Sequence, residues 1–517
     1  MKPLDVLTLY PPHDGALRSM LASRAAVAPE RELIVFGDRS LTYREVTTQA
    51  ERAAAFFMTR GVRAGDRVAV MSQNHPSTLI SFFGLAHLGA IMVPLNPAYR
   101  VEEARYVVEH AGVCGVLCSP EALPTLAGAC DRLAPFFVTH DGFELPEASA
   151  PARGNADDTC VLIYTSGTTG FPKGVMHSQR TVLLAGEGFV ERMHLQPSDR
   201  LLCILPMFHI NALFYSFAGA LAAGATLILE PKFSASTFWK TVKETGATEA
   251  NTLAAVSSIL MNRPRSEFVA GHALHKIYGA PFTEETHRVF AEELGVPKLI
   301  EGYGMSEVPG VLSNPFEGPH KPGSMGPPSR HPDHAMAFAE MKVVNERGEA
   351  LGDGETGELA VRTPLVMQGY YRDPEQTAAA FRDGWFLTGD LGSRDADGYF
   401  WFVARKKDII RKRGENISGA ELDRVIGEHP DVIEAAAIPV PSELGEDDIL
   451  VAVVARRPLK AEAIASWCRD RLAPFKVPRF VVFVDTLPKT PTHRVEKYKL
   501  KSDPTLRERA VDLTRSS

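Results

Sequence analysis

The 517-residue sequence lacks any uninterrupted apolar run near the roughly 20 residues that are needed to span a bilayer. Its first residues, "MKPLDVLTLYPPHDG", lack the continuous apolar core of a signal peptide. A basic excess is missing as well: the formal net charge is −7, whereas a nucleic-acid-binding protein normally carries a positive surplus. These absences predict a protein without a membrane span that does not bind nucleic acid.

Cysteine is scarce, with six residues scattered through the chain. The closest pair, Cys114 and Cys118 in "GVCGVLC", does not have the Cys-x-x-Cys spacing and lies in an apolar, strand-like run. We interpret both as core residues rather than as a metal or redox pair. Scattered cysteines of this kind are typical of the reducing cytosol, which predicts a cytoplasmic location.

Helical and strand patterns alternate over most of the chain, and 45% of the residues are hydrophobic, as in ordinary globular proteins. "DRVAVMSQN", "TLISFFGLAHLGA" and "IMVPLN" predict a strand, a helix and a strand in succession. This rhythm predicts an α/β fold in which helices cover sheets. The length exceeds what one core usually fills, so two or three domains are expected.

From about residue 340 the pattern becomes strand-rich, as in "GELAVRTP", which predicts a small β-subdomain. After residue 405, predicted helices such as "ELDRVIGEH" alternate with strands such as "DILVAVVAR", which indicates a small α+β unit. We therefore predict a large N-terminal domain over residues 1–404 and a small C-terminal domain over residues 405–517.

Two patterns that suggest other ligands have the wrong context. "GDGETG" at 352–357 fits the dinucleotide fingerprint G-x-G-x-x-G, but it precedes a predicted strand rather than a helix, which favours a surface turn. The histidine pairs in "HALH" at 272–275 and "HPDH" at 331–334 do not have a standard metal-ligand spacing. We predict no metal at either pair.

A loop rich in glycine and hydroxyl groups, "YTSGTTGFPKG" at 164–174, follows an apolar strand. It is not a Walker loop, because G-x-x-x-x-G-K-[ST] is absent. Glycines let the backbone approach a ligand, and the hydroxyls and the lysine supply donors and charge. By itself the stretch could be a flexible turn. As a phosphate loop it would use Thr165, Ser166, Gly167, Thr168, Thr169, Gly170 and Lys173.

Six further motifs follow along the chain. They are "LPMFH" at 205–209, "YGAP" at 278–281, "EGYGMSE" at 301–307, "GWFLTGD" at 384–390, "ARKKDIIRKRGENIS" at 404–418 and "LPKTPTHRVEKYKL" at 487–500. The ordered set resembles the adenylate-forming superfamily: acyl- and aryl-CoA synthetases, adenylation domains of peptide synthetases, and firefly-type luciferases. The resemblance covers nearly the whole chain. "HINALFYSFAGALAAGATL" and "FSASTFW" look closest to the crotonobetaine/carnitine–CoA ligase-like branch.

The resemblance implies an ATP-dependent carboxylate–CoA ligase that uses ATP, Mg²⁺ and coenzyme A and forms an acyl-AMP intermediate. Glu307, after a predicted glycine-aromatic turn, would hold Mg²⁺ on the triphosphate. Tyr303 offers a flat face for adenine, and Asp390 with Arg405 resembles the pair that binds the ribose hydroxyls. Besides the phosphate loop, the implied ATP-binding residues are Gly279, Ala280, Gly302, Tyr303, Gly304, Ser306, Asp390 and Arg405.

The resemblance also implies an acyl pocket in which His209 gates and positions the substrate rather than acting as a general base. A lone histidine is otherwise more often a satisfied core residue. The expected lining residues are His209, Asn211, Ala255, Ala280, Met305 and Val308. They include no basic side chain to receive a second carboxylate, which favours a small-to-medium aliphatic, alicyclic or aryl acid.

The stretch "RKKDIIRKR" at 405–413 has six basic residues among nine positions. Such a run could be a solvated face or a nucleic-acid patch. The resemblance implies a third role, with Lys407 as the hinge about which a mobile C-terminal domain turns between half-reactions. Gly414 would leave room for the pantetheine arm of coenzyme A.

The C-terminal motif departs from its relatives, which usually read Thr-Gly-Lys where this chain has Thr492, His493 and Arg494. In the relatives, the lysine of this motif bridges the carboxylate of the substrate and the α-phosphate of ATP. Arginine keeps the positive charge but is planar and bulkier. Three outcomes stay open: Arg494 acts as the catalytic cation, Lys497 or Lys489 replaces it, or adenylation is crippled. We rank Arg494 first and Lys497 second.

Three rival functions follow from these observations. The chain could pass its acyl group to an acceptor other than coenzyme A, or be a catalytically weakened nucleotide- or acyl-binding homologue. Nucleic-acid binding through 405–413 is the third, which the acidic net charge disfavours. The predicted partners are a small carboxylate, ATP and coenzyme A, and a homodimer is left open.

Overall fold

The structure is a computed structural model that describes residues 1–165, 172–412, 415–442, 447–489 and 495–514. It contains two compact units. The first unit comprises residues 1–341, 361–386 and 397–400. The second unit comprises residues 342–360, 387–396 and 401–517. The predicted boundary between residues 404 and 405 stays a prediction.

The strands are given in chain order. Up to residue 313 they are β1 (Glu32–Phe36), β2 (Arg39–Thr42), β3 (Arg67–Met71), β4 (Ile91–Leu95), β5 (Gly115–Cys118), β6 (Phe136–Thr139), β7 (Thr159–Thr165), β8 (Lys173–Ser178), β9 (Arg200–Cys203), β10 (Thr226–Leu229), β11 (Glu249–Asn251), β12 (Lys276–Gly279), β13 (Lys298–Met305) and β14 (Val308–Ser313). Beyond it they are β15 (Glu340–Val344), β16 (Gly357–Arg362), β17 (Gly369–Tyr370), β18 (Phe381–Arg382), β19 (Trp385–Arg394), β20 (Phe400–Arg405), β21 (Ile409–Lys412), β22 (Glu415–Ser418), β23 (Val432–Pro441), β24 (Asp447–Ala455), β25 (Phe480–Phe483) and β26 (Val511–Asp512).

The α-helices are α1 (Pro3–Thr8), α2 (Leu17–Val27), α3 (Tyr43–Thr59), α4 (Pro76–Leu88), α5 (Val101–Ala111), α6 (Leu123–Ala129), α7 (Gln179–Met193), α8 (Ala218–Ala223), α9 (Phe238–Thr245), α10 (Ala254–Met261), α11 (Glu284–Arg288), α12 (Pro374–Ala379), α13 (Gly419–Gly427), α14 (Ala461–Arg469), α15 (Lys497–Lys501) and α16 (Pro504–Arg509). Two π-helical segments cover Asn211–Phe217 and Val289–Glu293.

Two large sheets organise the first unit. The eight-stranded sheet has the order β14-β13-β12-β11-β9-β10-β1-β2, and its strands from β13 to β1 run parallel. Its edge strands β14 and β2 are antiparallel to their neighbours. The seven-stranded sheet has the order β17-β8-β7-β4-β3-β5-β6. The alternation of strands and helices in the sequence predicts mainly parallel sheets covered by helices. The structure has such sheets, so the predicted α/β fold is confirmed.

Local sequence signals explain where the predicted helices begin and end. Thr42 caps α3 through its side chain, which accepts a hydrogen bond from the Glu45 backbone N–H, and the Glu45 side chain bonds back to the Thr42 N–H. Gly61 follows the helix with φ of +82°, a conformation that favours glycine. Helix α4 is buried on nearly every side, which explains its continuous apolar sequence.

The second unit is strand-rich at first and then mixed. Most residues of β15, β16, β19 and β20 lie in this unit, and these strands are neighbours in one sheet. "GDGETG" lies in the turn that leads into β16, as predicted. Strands β23 to β26 form a four-stranded sheet, and the amphipathic helices α13 and α14 bury their apolar residues in the same core as its inner face. The predicted strand-rich and α+β segments are both confirmed.

The histidines of "HPDH" contact two carboxylates of helix α7. His331 Nε2 lies 3.1 Å from Glu187 Oε2, and His334 Nε2 lies 2.9 Å from Glu191 Oε1. These carboxylates are one helical turn apart and more than a hundred positions earlier in the chain, which is why the local spacing does not reveal them.

Within the residues described, no helix is both long enough and apolar enough to cross a membrane. All six cysteines are free thiols, and Cys118 is buried in β5 as its apolar surroundings predict.

Candidate active site

The carboxyl ends of neighbouring parallel strands carry much of the predicted site of the first unit. Gly279, the last residue of β12, is in register with Glu301 of β13, so Ala280 and Gly302 continue from the same sheet edge. Ala255 lies in the first turn of α10, which is the element that follows β11 in the chain. Because open α/β sheets bind ligands outside the carboxyl ends of their strands, this edge is the candidate active site.

The glycine-rich stretch connects two antiparallel neighbours, β7 and β8, whose ends are in register at Thr165 and Lys173. These two residues therefore face each other at the mouth of the hairpin. Five of the predicted phosphate-loop residues lie outside the described residues: Ser166, Gly167, Thr168, Thr169 and Gly170.

The glycines of "EGYGMSE" lie where a side chain would collide with neighbouring strands. A Cβ on Gly302 would come within 2.8 Å of Leu312 O, and one on Gly304 would contact Gly310 N. The predicted glycine-aromatic turn is wrong, because Tyr303 and Gly304 belong to strand β13. The chain turns at Ser306 and Glu307 instead, between the paired residues Met305 and Val308.

Glu307 is held by a tyrosine, Tyr370, that lies outside all of the sequence motifs described above. The Tyr370 hydroxyl donates a hydrogen bond of 2.9 Å to Glu307 Oε1, and both side chains are buried. Burial, and next the Glu307 charge, raise the pKa of the Tyr370 hydroxyl, which keeps it a donor at neutral pH. Lys173 Nζ lies 4.8 Å from the centre of the Tyr370 ring. Tyr370 thus contacts both the end of the glycine-rich hairpin and the predicted metal-binding carboxylate.

A second unpredicted residue, His177 of β8, fixes the backbone of the same turn. Its Nε2 donates a hydrogen bond of 2.6 Å to the carbonyl oxygen of Ser306. The ring is fully buried against Phe214, and burial lowers the pKa of His177 to about 4, so the imidazole is neutral at pH 7. The turn that presents Glu307 is therefore attached to the seven-stranded sheet.

The predicted acyl-pocket residues lie beyond β9 and beside the β13–β14 turn. His209 and Asn211 stand at the start of a π-helical segment, a feature often found at functional sites. His209 Nε2 and Asn211 Oδ1 are buried and have no hydrogen-bond partner within the described residues. Burial lowers the pKa of His209 to about 4, which makes it a weak base. Met305 and Val308 flank the turn; Met305 is partly buried and Val308 is fully buried.

In the second unit, the predicted ribose-binding pair is assembled. Arg405 Nε lies 3.3 Å from Asp390 Oδ1, and the Asp390 side chain is almost fully buried. The Thr388 hydroxyl accepts a hydrogen bond of 3.1 Å from the Asp390 backbone N–H. Lys407 lies in a 3₁₀ turn, Lys406–Asp408, between β20 and β21. Gly414 lies outside the described residues.

The two lysines that could replace Arg494 each pair with an acid of the same unit. Lys497 Nζ lies 2.5 Å from Asp423 Oδ2, and both side chains are largely buried. Lys489 forms an ion pair with Glu434. Arg494 itself lies outside the described residues.

Comparison with known proteins identifies relatives that match most of the chain. The model of the AMP-binding enzyme family matches residues 21–371, and that of the AMP-binding enzyme C-terminal domain matches residues 421–494. A sulfoacetate–CoA ligase of Cupriavidus necator is 32% identical over 510 residues, which cover 94% of this chain and 97% of that protein. An oxalate–CoA ligase of Arabidopsis thaliana is 32% identical over 508 residues, which cover 93% and 97%. The crystal structure of ATP-bound MatB from Rhodopseudomonas palustris has a TM-score of 0.83 at 29% identity and covers 93% of this chain and 98% of that one.

Proposed function

Because this chain belongs to the AMP-binding enzyme family, we propose that the carboxyl edge of its eight-stranded sheet activates a monocarboxylate without a second charged group for transfer to coenzyme A. The class of reaction is the ATP-dependent ligation of a carboxylate to coenzyme A, as in the relatives. The observation that supports our placement is the meeting of Ala255, Ala280, Gly302 and the Glu307 turn along one sheet edge.

The proposed reaction has two steps. The carboxylate attacks the α-phosphate of ATP, which forms acyl-AMP and releases pyrophosphate. The thiol of coenzyme A then attacks the acyl carbon, and AMP leaves. Positioning and charge neutralisation supply the rate, so residues that bind phosphate oxygens matter more than a general base.

We assign the nucleotide contacts as follows. Thr165, Lys173 and the residues between them would hold the β- and γ-phosphates, since the hairpin register brings the two ends together. The Ser306 hydroxyl would donate to the α-phosphate, and Tyr303 would stack on adenine. Asp390 would accept hydrogen bonds from the ribose hydroxyls. The buried position of this carboxylate beside Arg405 suits such a diol contact.

The Glu307 carboxylate fits a magnesium ion on the triphosphate. It is an oxygen ligand of the kind that Mg²⁺ prefers, and the Tyr370 hydroxyl already fixes one of its oxygens. When bound, Mg²⁺ supplies positive charge to the phosphate oxygens. The chain's own contribution is the orientation of this carboxylate by Tyr370 and by the turn that His177 holds.

For the acid, we propose a small-to-medium aliphatic, alicyclic or aryl monocarboxylate. The assigned pocket residues carry no cationic side chain, because burial keeps His209 neutral. A second carboxylate or a sulfonate would therefore be buried without a counter-ion, which is costly. The unpartnered atoms His209 Nε2 and Asn211 Oδ1 would accommodate a hydroxyl or carbonyl group of the acid.

Three finer assignments are also proposals. The crotonobetaine/carnitine–CoA ligase-like branch is supported by two stretches of sequence. "HINALFYSFAGALAAGATL" covers the first π-helical segment and α8 and ends in β10, and "FSASTFW" follows β10. A cytoplasmic location is supported by the six free thiols. A homodimer stays a prediction.

A screen of carboxylates tests the function directly. Monocarboxylates without a second charged group are incubated with ATP, Mg²⁺ and coenzyme A, with sulfoacetate and oxalate as doubly charged comparators. The nucleotides, pyrophosphate and thioester that form are measured. We expect AMP, pyrophosphate and thioester in equal amounts from the monocarboxylates. Stoichiometric ADP would refute the mechanism, and equal turnover without coenzyme A would favour another acceptor.

Glu307→Gln should lower the rate of acyl-AMP formation about 100-fold, because the charge that compensates the metal is lost. The amide oxygen still accepts from Tyr370, so the thermal unfolding temperature should hardly change. The control is Glu317→Gln, since that acid is 79% exposed. Similar activity of both variants would show that Glu307 does not bind the metal.

A further inference from the structure

Three residues from different structural elements form a cluster beside the candidate active site. His287 lies in α11, Glu301 in β13 and His320 in the loop after β14. Each offers one ligand atom, and these atoms all lie within 4.8 Å of one another. Within the described part of the chain, this is the one group of three such side chains with that geometry.

The two distances from Glu301 to the histidines are those of neighbouring ligands in a tetrahedral metal site. Glu301 Oε2 lies 3.4 Å from His287 Nε2 and 3.2 Å from His320 Nε2. With bonds of about 2.0 Å to a central ion, the ligand atoms of a tetrahedral site are about 3.3 Å apart. The two imidazole centres are 4.8 Å apart and nearly perpendicular, so both rings direct Nε2 towards one carboxylate oxygen without clashing.

The carboxylate is fixed in place by backbone donors. Phe282 N–H donates a bond of 3.0 Å to Glu301 Oε1, and Gly323 N–H lies 3.2 Å from Oε1 and 3.1 Å from Oε2. Such outer contacts orient the ligands of metal sites. The Glu301 side chain is 1% exposed, whereas the two histidines are 21% and 24% exposed. Solvent therefore reaches the histidine side of the cluster, which leaves room for entry and for a fourth ligand.

We propose that His287, Glu301 and His320 bind a divalent transition-metal ion, with Zn²⁺ as the best match. Two imidazoles and one carboxylate suit Zn²⁺ and its neighbours in the first transition series, whereas Mg²⁺ and Ca²⁺ prefer oxygen ligands. This site is therefore chemically distinct from the magnesium site proposed at Glu307.

The ion would connect two neighbouring segments that carry proposed nucleotide-binding residues. Glu301 directly precedes Gly302 and Tyr303, and Phe282, whose N–H holds Glu301, follows Ala280 by two positions. A bound ion would stiffen these segments and lower the KM for ATP. This second effect rests on the proposed function, whereas metal binding itself does not.

The test uses the full-length, untagged protein, stripped with a chelator and titrated with Zn²⁺ or Co²⁺ alone. Bound metal per chain is measured after dialysis, and the visible absorption of Co²⁺ reports its coordination. We expect one equivalent per chain in the wild type. His287→Ala and His320→Ala should weaken the affinity at least about tenfold. His334→Ala, a histidine 57% exposed on another part of the first unit, should bind like the wild type.

Two readouts separate a metal site from a hydrogen-bonded cluster. His320→Gln keeps a donor for Glu301 but is a poor zinc ligand, so it should fold normally and lose the metal-dependent rise in unfolding temperature. If it keeps that rise, the proposal is wrong. The proposal is also overturned if the wild type binds no more metal than His287→Ala, since the three residues would then form a hydrogen-bonded network only. Neither readout requires ATP, acid or coenzyme A.

Discussion

At the scale of single residues, Tyr370 is the connection between two predicted parts of the ATP site. Its hydroxyl holds Glu307, and its ring lies beneath Lys173. Its backbone pairs with Val175 of β8, so the aromatic ring is fixed by the sheet. Lys173 and Glu307, of opposite charge, are thus oriented by one neutral side chain.

Tyr370→Phe should therefore raise both the KM for ATP and the Mg²⁺ concentration that gives half the maximal rate, each about tenfold. A hydrogen bond to a charged group contributes about 1.5–3 kcal/mol, and the ring itself is retained. Steady-state rates at varied Mg²⁺ and ATP measure the effect.

The matched control is Tyr371→Phe, because the Tyr371 hydroxyl donates to the carbonyl of Ala111 instead. An unchanged Mg²⁺ dependence in Tyr370→Phe would show that the hydrogen bond does not orient Glu307 for the metal.

The catalytic cation of the C-terminal motif is a second prediction at this scale. Arg494→Ala should slow acyl-AMP formation about 100-fold, as expected when a charge on the transition state is lost. Arg494→Lys should retain more of the rate, since the charge remains. Single-turnover formation of acyl-AMP measures both.

Lys497→Ala should act mainly on stability. The variant would leave the largely buried Asp423 carboxylate without the charge of Lys497. Burial already raises the pKa of this carboxyl, although the charge of Lys497 lowers it. If Lys497→Ala loses adenylation while Arg494→Ala keeps it, our ranking of the two residues is wrong. If the wild type adenylates no acid, the binding-homologue alternative is favoured.

At the scale of elements, the Ser306–Glu307 turn depends on a neutral histidine. His177 must keep its Nε2 proton to donate to Ser306 O and must remain uncharged because it is buried. The pKa of this histidine is about 4 in the folded protein and about 6.5 in an unfolded chain. Between these two values the unfolded chain binds the additional proton.

The free energy of unfolding should therefore fall as the pH is lowered from about 6.5 to about 4, with His177 contributing up to about 3 kcal/mol. The contribution is fully present above pH 6.5. His177→Gln, whose amide still donates a hydrogen bond, should show a flatter profile in denaturant unfolding over this range. Parallel profiles of variant and wild type would show that His177 does not cause the acid sensitivity.

The elements were predictable to different degrees. Local signals such as the Thr42 cap and Gly61 define α3, and apolar runs define β3 and β4, so the sequence predicts them well. The sequence places the turn at Gly302–Gly304, whereas the chain turns at Ser306 and Glu307. Glycines usually indicate turns, but Gly302 and Gly304 are required here by the close approach of neighbouring strands, which only the tertiary structure shows.

The same reason explains which site residues were missed. Glu307 and Asp390 belong to motifs whose spacing is local, whereas Tyr370 and His177 act on residues more than sixty positions away. The cluster of His287, Glu301 and His320 has no local spacing either. Side-chain contacts across sheets leave no periodic signal in one sequence.

At the scale of the whole molecule, the same chain carries out both proposed half-reactions, acyl-AMP formation and thioester formation. Lys407 is the predicted hinge about which the C-terminal domain turns between them. Proline fixes φ near −65°, so Lys407→Pro would restrict a backbone that must adopt two states. Thioester formation should fall about 100-fold, as expected from misplacement of reacting groups, while acyl-AMP formation is affected less. The two half-reactions are measured separately with acid plus ATP and with isolated acyl-AMP plus coenzyme A.

Lys407→Ala is the control, since it removes the charge but leaves the backbone free. Equal losses in both half-reactions of Lys407→Pro would show that this residue is not the hinge. Equal behaviour of the proline and alanine variants would assign the effect to the lost charge instead.

The packing around Gly302 and Gly304 has a consequence for how this enzyme could evolve new specificities. In a saturation library over positions 302–308, almost every replacement of the two glycines would be eliminated, because each Cβ meets backbone atoms that cannot move independently. Met305, which pairs with Val308 across the turn, is only partly buried, so its side chain can change without displacing the backbone, whereas Val308 is fully buried. Adaptive change would therefore be confined to a few positions beside the two fixed glycines. Randomising only these neighbouring positions keeps a gene library small.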